Sequence, residues 1–291
     1  MTHLTAELLA TQRAEQLLRE LDINALDVDP VAIATRHKML VQPKPNTAAG
    51  ISGLLMKVGD HFGIMYSTQY GNEGYERFSI AHELGHYFLP GHIDAVIGPD
   101  GIHESRAGFM SADRYEREAD HFATGLLMPR HLFVPALSTA GKGLTAVEHL
   151  RNLCKTSLTA TAIRLTQCTP DPIAVVVSTG SQIDYCCMSD ELKEIDGIDW
   201  IRKGQIVPRN TATFQFNQDA GNVQGAKRTS GTSDIQDWFG GHRTIEVSED
   251  VVGLGRFGKT LTVLYDMELP DEEEESDEEA LTDSWTPRFS R

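Results

Sequence analysis

His82 and His86 stand four residues apart, with Glu83 directly after the first. They form an H-E-x-x-H pattern inside Phe78-Ser79-Ile80-Ala81-His82-Glu83-Leu84-Gly85-His86-Tyr87-Phe88-Leu89. In a helix, residues four apart lie on one face, so both imidazoles can reach one metal ion. Zinc takes imidazole nitrogens at roughly 2.0–2.1 Å and suits that spacing. Glu83 then falls beside the ion, placed to take a proton from a water there rather than to bind the metal. Five-residue patterns also arise by chance, in helices whose histidines are surface or core residues. A catalytic zinc site normally has three protein ligands and an open water position, so a third ligand decides between the two readings.

The stretch Tyr115-Glu116-Arg117-Glu118-Ala119-Asp120-His121-Phe122-Ala123-Thr124-Gly125-Leu126-Leu127-Met128-Pro129 offers that ligand. Ala119, Phe122, Ala123, Leu126 and Leu127 make an apolar stripe at helical spacing, and Pro129 marks its end. At about 100° per residue Glu116 falls inside the stripe, while Glu118 and Asp120 flank it. A carboxylate aimed into an apolar face is costly unless a positive charge offsets it, and a metal ion does so. A solvated acidic first turn, favoured by the helix dipole, accounts for Glu118 and poorly for Glu116. Asp120, one turn after Glu116, can accept the free ring N–H of a ligating histidine.

The order H-E-x-x-H then E-x-x-A-D resembles the gluzincin arrangement, in which a second helix supplies a glutamate ligand and an aspartate four residues on orients a histidine. More specifically, R-F-S-I-A-H-E-L-G-H-Y-F-L together with E-x-E-A-D-x-F-A-x-x-L-L-M-P resembles the ImmA/IrrE family of metallopeptidases, closely over about residues 75–130 and loosely from the N-terminus to about 170. Known members are bacterial or phage-encoded proteases that cut a helix-turn-helix repressor and so switch on stress or mobile-element genes. The resemblance implies His82, His86 and Glu116 as ligands of one Zn2+ per chain, with Glu83 as catalytic base. Mn2+ or Fe2+ fits such N/O ligands as well. Zinc would polarise the scissile carbonyl and lower the pKa of its water towards about 7. Glu83 would move that water's proton to the leaving amine. A rival from another class is a non-catalytic metal-binding regulator that antagonises a DNA-binding repressor by contact.

These groups need elements to hold them. Residues 5–21 read as an amphipathic helix through Leu8, Leu9, Ala14, Leu17, Leu18 and Leu21. Asp29-Pro30 opens a short helix to about His37. Strands are expected at Met39–Gln42, Ile51–Val58 and His61–Ser67, with Gly59-Asp60 as a tight turn. A small sheet before the metal helix fits the layered zincin architecture, whose edge strand, by resemblance, holds an extended substrate. Residues 90–113, rich in Gly, His, Pro and Asp, read as a surface loop near the cleft. His92 or His103 from that loop, Tyr75 or Tyr115 could each stabilise an oxyanion, and the sequence does not choose among them.

Residues 144–167 read as two helices around Lys155-Thr156-Ser157, a helix-turn-helix-like pair that suggests DNA. The formal net charge of −16 argues against direct DNA binding, as does a pair whose basic residues are Arg151, Lys155 and Arg164. From Pro172 the pattern turns to strands: Ile173–Ser178, Ile183–Cys187, Thr211–Phe216, Thr244–Val247 and Leu261–Tyr265, with Asp219–Ser233 as a mobile loop. Gly258-Lys259-Thr260 reads as a turn rather than a phosphate-binding loop. Between Asp271 and Glu279, eight of nine residues are acidic, half of the net charge; such a block repels itself and is expected to be disordered.

The expected fold is α+β. A zincin-like metallopeptidase domain spans 1–171 and includes the helical pair. A β-rich C-terminal domain for sensing or docking, by analogy, spans 172–269, and an acidic tail spans 270–291. Cys154, Cys168, Cys186 and Cys187 have apolar neighbours and read as reduced packing thiols. The first residues lack a signal-peptide pattern, and no apolar run approaches the ~20 residues that cross a bilayer. A cytoplasmic protein acting on a protein partner is the expectation.

Overall fold

Thr5 starts α1 (Ala6–Glu20) by accepting the Leu8 N–H, and Ala10, Ala14, Leu17 and Leu18 are buried along one face. Asp29 caps α2 (Pro30–Arg36) in the same way, with Pro30 in the first turn. The strands β1 (Leu40–Pro43), β2 (Ile51–Val58) and β3 (His61–Tyr66) follow. Gly59, at φ 61°, and Asp60 turn β2 into β3, so Val58 pairs with His61. Then come α3 (Glu73–Phe88), α4 (His92–Val96), β4 (Ile102–Arg106) and α5 (Arg114–Leu127), and finally α6 (Arg130–Leu137), α7 (Gly143–Cys154) and α8 (Leu158–Cys168). The computed structural model describes residues 5–45, 50–106 and 113–267; the acidic block lies outside them.

The four strands form one sheet in the order β1-β3-β2-β4, with β1 parallel to β3 and the other pairs antiparallel. The surface loop expected over 90–113 is thus corrected for its described part. Gly98 to Gly101 is a turn between a short helix and a strand, and β4 is paired along β2. Local composition gives no sign of this pairing, because the partner lies about fifty residues away. The β2–β4 register slips between Ile51 and Gly53, a bulge at Ser52, whose hydroxyl donates to the Ser105 carbonyl at 3.1 Å.

Every residue of α3 from Ser79 to His86 is buried. The helix packs on β2 and β3 and against α5, and α5 in turn packs on α1. Gly85 permits this: a Cβ there would meet the Ala119 backbone at 3.1–3.2 Å, so any larger residue would push α3 and α5 apart. In the helical pair, Leu144, Val147, Leu150, Ala162 and Leu165 are buried, and the buried Arg164 donates to the Met128 carbonyl at 3.0 Å. One of the three basic residues of the pair therefore serves the core.

The chain divides into two units, Met1–Thr169 and Pro170–Arg291. The second is a five-stranded antiparallel sheet in the order β6-β5-β9-β8-β7. It is built from β5 (Ala174–Thr179), β6 (Gln182–Met188), β7 (Arg228–Asp234), β8 (Glu246–Gly253) and β9 (Thr260–Tyr265). The short helices α9 (Asp190–Lys193), α10 (Ala212–Asn217), α11 (Ala220–Gln224) and α12 (Ile235–Phe239) accompany it. Trp238, Phe239, Ile245 and Val247 pack with Val176 and Leu264 in its main core, and Phe216, Val223 and Val251 form a second cluster.

Two expectations for this unit are corrected. Thr211–Phe216 is helical because the Thr211 hydroxyl accepts the Phe214 N–H and caps α10, a role that its β-branched shape disguised. Within the expected mobile loop 219–233, Asp219 caps α11 and Arg228–Asp234 is a sheet edge paired residue by residue with β8. Its polar composition suits an exposed edge strand. The mixed α and β content agrees with the α+β expectation. No helix of the described residues is long and apolar enough to cross a membrane, and all four cysteines are free thiols.

Candidate metal centre

α3 presents His82 and His86 on the face that meets α5, and Glu116 in the first turn of α5 reaches the same point. His82 Nε2 and His86 Nε2 are 3.0 Å apart, and each lies 3.4 Å from a Glu116 oxygen. Two imidazole lone pairs and a carboxylate that converge this closely need a proton or a cation between them. A tetrahedron with bonds of roughly 2.0–2.1 Å has edges of about 3.3–3.4 Å, close to these separations. The donor set therefore fits a divalent metal, and His82, His86 and Glu116 form a cluster able to hold one.

Hydrogen bonds at the far side of each ring turn Nε2 inward. His82 Nδ1 is 2.8 Å from Asp120 Oδ1, the contact anticipated from the one-turn spacing after Glu116. Asp120 can only accept, so His82 carries its proton on Nδ1. Burial opposes charge on both imidazoles. His82 overcomes it through hydrogen bonds to Asp120 and Glu116 and is pushed up to about 10, whereas burial takes His86 down to about 3. Burial alone would raise Glu116; hydrogen bonds with His103, His82 and His86 hold it far below the usual carboxylate range.

Glu83 reaches Gly53 of the sheet. It is fully buried, neither carboxyl oxygen has a partner at ordinary hydrogen-bond geometry among the described residues, and burial pushes its carboxyl up against the pull of His82 and the nearby Ser105 hydroxyl. Gly53, beside the β2 bulge, makes the room: a Cβ at that position would collide with Glu83 Oε1.

Three further residues join the site. His103, on the edge strand β4, has Nε2 3.1 Å from Glu116 Oε1. His92 heads α4 after Gly91, whose φ of 78° reverses the chain, and its ring returns beneath α3, 3.2 Å from His86 Nδ1. Glu118, expected as a solvated first-turn acid, is instead 7% exposed and bonded to His92 and Arg114. A helix considered alone suggests that solvation, with His92 on a surface loop. The histidine six residues after His86, just past Pro90-Gly91, was the available signal. Of the other oxyanion candidates, Tyr115 packs edge-on to His92 and Tyr75 to Tyr70. His92 touches the cluster behind His86, and His103 touches it at Glu116 from the edge strand.

A helix carrying H-E-x-x-H, a second helix carrying the glutamate and a small sheet with an edge strand alongside define a zincin-like domain. Residues 34–166 match the family model described as the IrrE N-terminal-like domain (Peptidase_M78), which supports the ImmA/IrrE family for this part of the chain. No curated protein matches the sequence. A solved Mycobacterium tuberculosis structure titled a transcriptional regulator is similar at a TM-score of 0.55 and 14% identity, over 88% of this chain and 75% of its own. At that identity the likeness concerns fold.

Proposed function

We propose that this protein is a zinc-dependent endopeptidase that cleaves a helix-turn-helix transcriptional repressor in a stress or mobile-element response. The observation that carries the reading is the convergence of His82, His86 and Glu116 beside the buried, unpartnered carboxylate of Glu83. A zinc ion held there would polarise the scissile carbonyl and acidify water. Glu83 takes a proton from the attacking water as the C–O bond forms, and delivers it to the amine as the C–N bond breaks. His103, 3.1 Å from Glu116, would donate to the developing oxyanion, and β4, at the edge of the sheet among the described residues, would take an extended peptide by strand addition. The choice of repressor as substrate rests on the family.

The test is incubation of the zinc-loaded chain with helix-turn-helix repressors from the same genome, with products read by mass spectrometry. One repressor is expected to be cut at a discrete bond, with cutting stopped by a chelator and restored by Zn2+. Cleavage that survives full metal removal, or none by the loaded protein, would sink the reading.

Gly53→Ala examines the geometry. Its methyl must displace the Glu83 carboxyl and leaves the three ligands alone. A misplacement near 1 Å costs about a hundredfold in rate. Single-turnover cleavage is expected to slow by about that factor with zinc content unchanged. An unaltered rate would mean that Gly53 does not set the position of Glu83.

A further inference from the structure

His86 is oriented by a chain of groups, buried up to the exposed Arg114 that ends it, that no ligand motif includes. Its Nδ1 lies 3.2 Å from His92 Nδ1, His92 Nε2 lies 3.0 Å from Glu118 Oε2, and the Arg114 Nε–H donates to the other Glu118 oxygen. His86 and His92 are fully buried and Glu118 nearly so. Proton positions follow from the last link inward. Arg114 holds Glu118 as a carboxylate, which can only accept, so His92 Nε2 carries the hydrogen. A neutral His92 then has a lone pair on Nδ1 and accepts from His86 Nδ1–H. That leaves the His86 Nε2 lone pair directed at Glu116 and His82.

We infer that Glu118 and His92 are positioning residues for the metal: through two consecutive hydrogen bonds they hold His86 in the Nδ1–H tautomer and in the ring orientation that ligation requires. The inference rests on reading His82, His86 and Glu116 as ligands. It gives the second histidine a support distinct from the Asp120 contact that serves the first. It also explains why Glu118 is buried and why the chain reverses at Gly91 to return His92 under α3. Partners of this kind typically contribute 10- to 100-fold to metal affinity.

Zn2+ affinity of the full-length chain, measured by competition with a chromophoric chelator, tests this in the wild type, His92→Phe, His92→Gln and Glu118→Gln. Phenylalanine fills the space and breaks both bonds, and should weaken Zn2+ binding about 10- to 100-fold. Glutamine at 92 keeps one acceptor and one donor and should restore most of that loss, which a purely space-filling role would not produce. Glu118→Gln should weaken binding to a smaller degree.

A second readout needs no loaded metal. Nitrogen chemical shifts of the metal-free wild type should place the His86 proton on Nδ1, and His92→Phe should move it, in whole or part, to Nε2. His92→Phe binding Zn2+ within about twofold of the wild type, against the 10- to 100-fold expected of such partners, would overturn the inference while leaving the metal site standing. So would a His86 proton found on Nε2 in the wild type. A wild-type chain that binds no Zn2+ at all would remove the site and this support together. Should His92→Phe fail to fold, the Glu118→Gln affinity and the wild-type tautomer decide alone.

Discussion

Glu83→Gln is expected to keep its zinc and lose cleavage by about 10²–10⁴-fold, the range that general acid–base catalysis contributes, and towards its upper end. Glutamine has the shape of the glutamate and enters the same space beside Gly53, so the ligands on either side of it need not move. What it lacks is a site that can take a proton from water and return it to an amine. The usual objection, that loss of activity reports loss of fold, has a direct answer here. The carboxyl is fully buried without a partner at ordinary hydrogen-bond geometry among the described residues, and burial raises its pKa above the unfolded value. A carboxyl so perturbed costs stability above its unfolded pKa, where the unfolded chain is ionised and the folded one resists ionisation. A neutral amide removes that penalty, so the metal-free variant should melt no lower than the wild type near pH 7. Zinc content, melting temperature and cleavage measured together separate the readings. Unchanged zinc, unchanged melting and no cleavage identify Glu83 as the base. Relief of repression by this variant, without cleavage, would instead favour an antagonist that acts by contact. Retained cleavage would remove Glu83 from the mechanism.

The residues legible in the sequence owe their position to local periodicity. His82 and His86 share a helix face by their spacing, and Glu116 is marked by its place within an apolar stripe. Asp120 follows one turn later, and the structure brings it to His82. The helix start at Asp29-Pro30, and the turn at Gly59-Asp60, are equally local. The residues whose roles the sequence leaves open depend on contacts between distant segments. His103 reaches Glu116 because β4 pairs with β2, and no pattern within residues 102–106 reports that pairing. Glu118 reads as a surface acid because its partner, His92, reads as part of a surface loop. In the second unit, the β-branched shape of Thr211 suggests a strand, although its hydroxyl caps a helix. The polar run 228–234 lacked the alternation of a half-buried strand because it forms an exposed edge. Periodicity thus located the chemistry, and long-range pairing supplied its support.

Glu116→Ala should abolish stoichiometric zinc binding, taking the purified chain from about one zinc to nearly none, whereas Glu118→Ala should retain about one at saturating Zn2+. The two carboxylates are two residues apart on α5 and both largely buried, so size and burial do not distinguish their effects. Geometry does: Glu116 oxygens lie 3.4 Å from both Nε2 atoms, while Glu118 bonds to His92 behind His86. Without Glu116 the ion would keep two neutral nitrogens and lose its only charged ligand. Thermal melting gives an independent reading, because a ligand that binds only the folded state stabilises it by about 2.7 kcal/mol at a hundred times its Kd. Added Zn2+ should therefore raise the melting temperature of the wild type and of Glu118→Ala, the latter needing more zinc, and leave Glu116→Ala unmoved. Glu116→Ala also strips His82 of one of its two carboxylate partners and leaves Asp120, so some loss of metal-free stability is expected without loss of fold. If Glu116→Ala still bound one zinc, the third position would pass to His103. Its Nε2 is 3.1 Å from the Glu116 oxygen it would replace, and a Glu116→Ala, His103→Ala double variant would then be the chain that loses the metal.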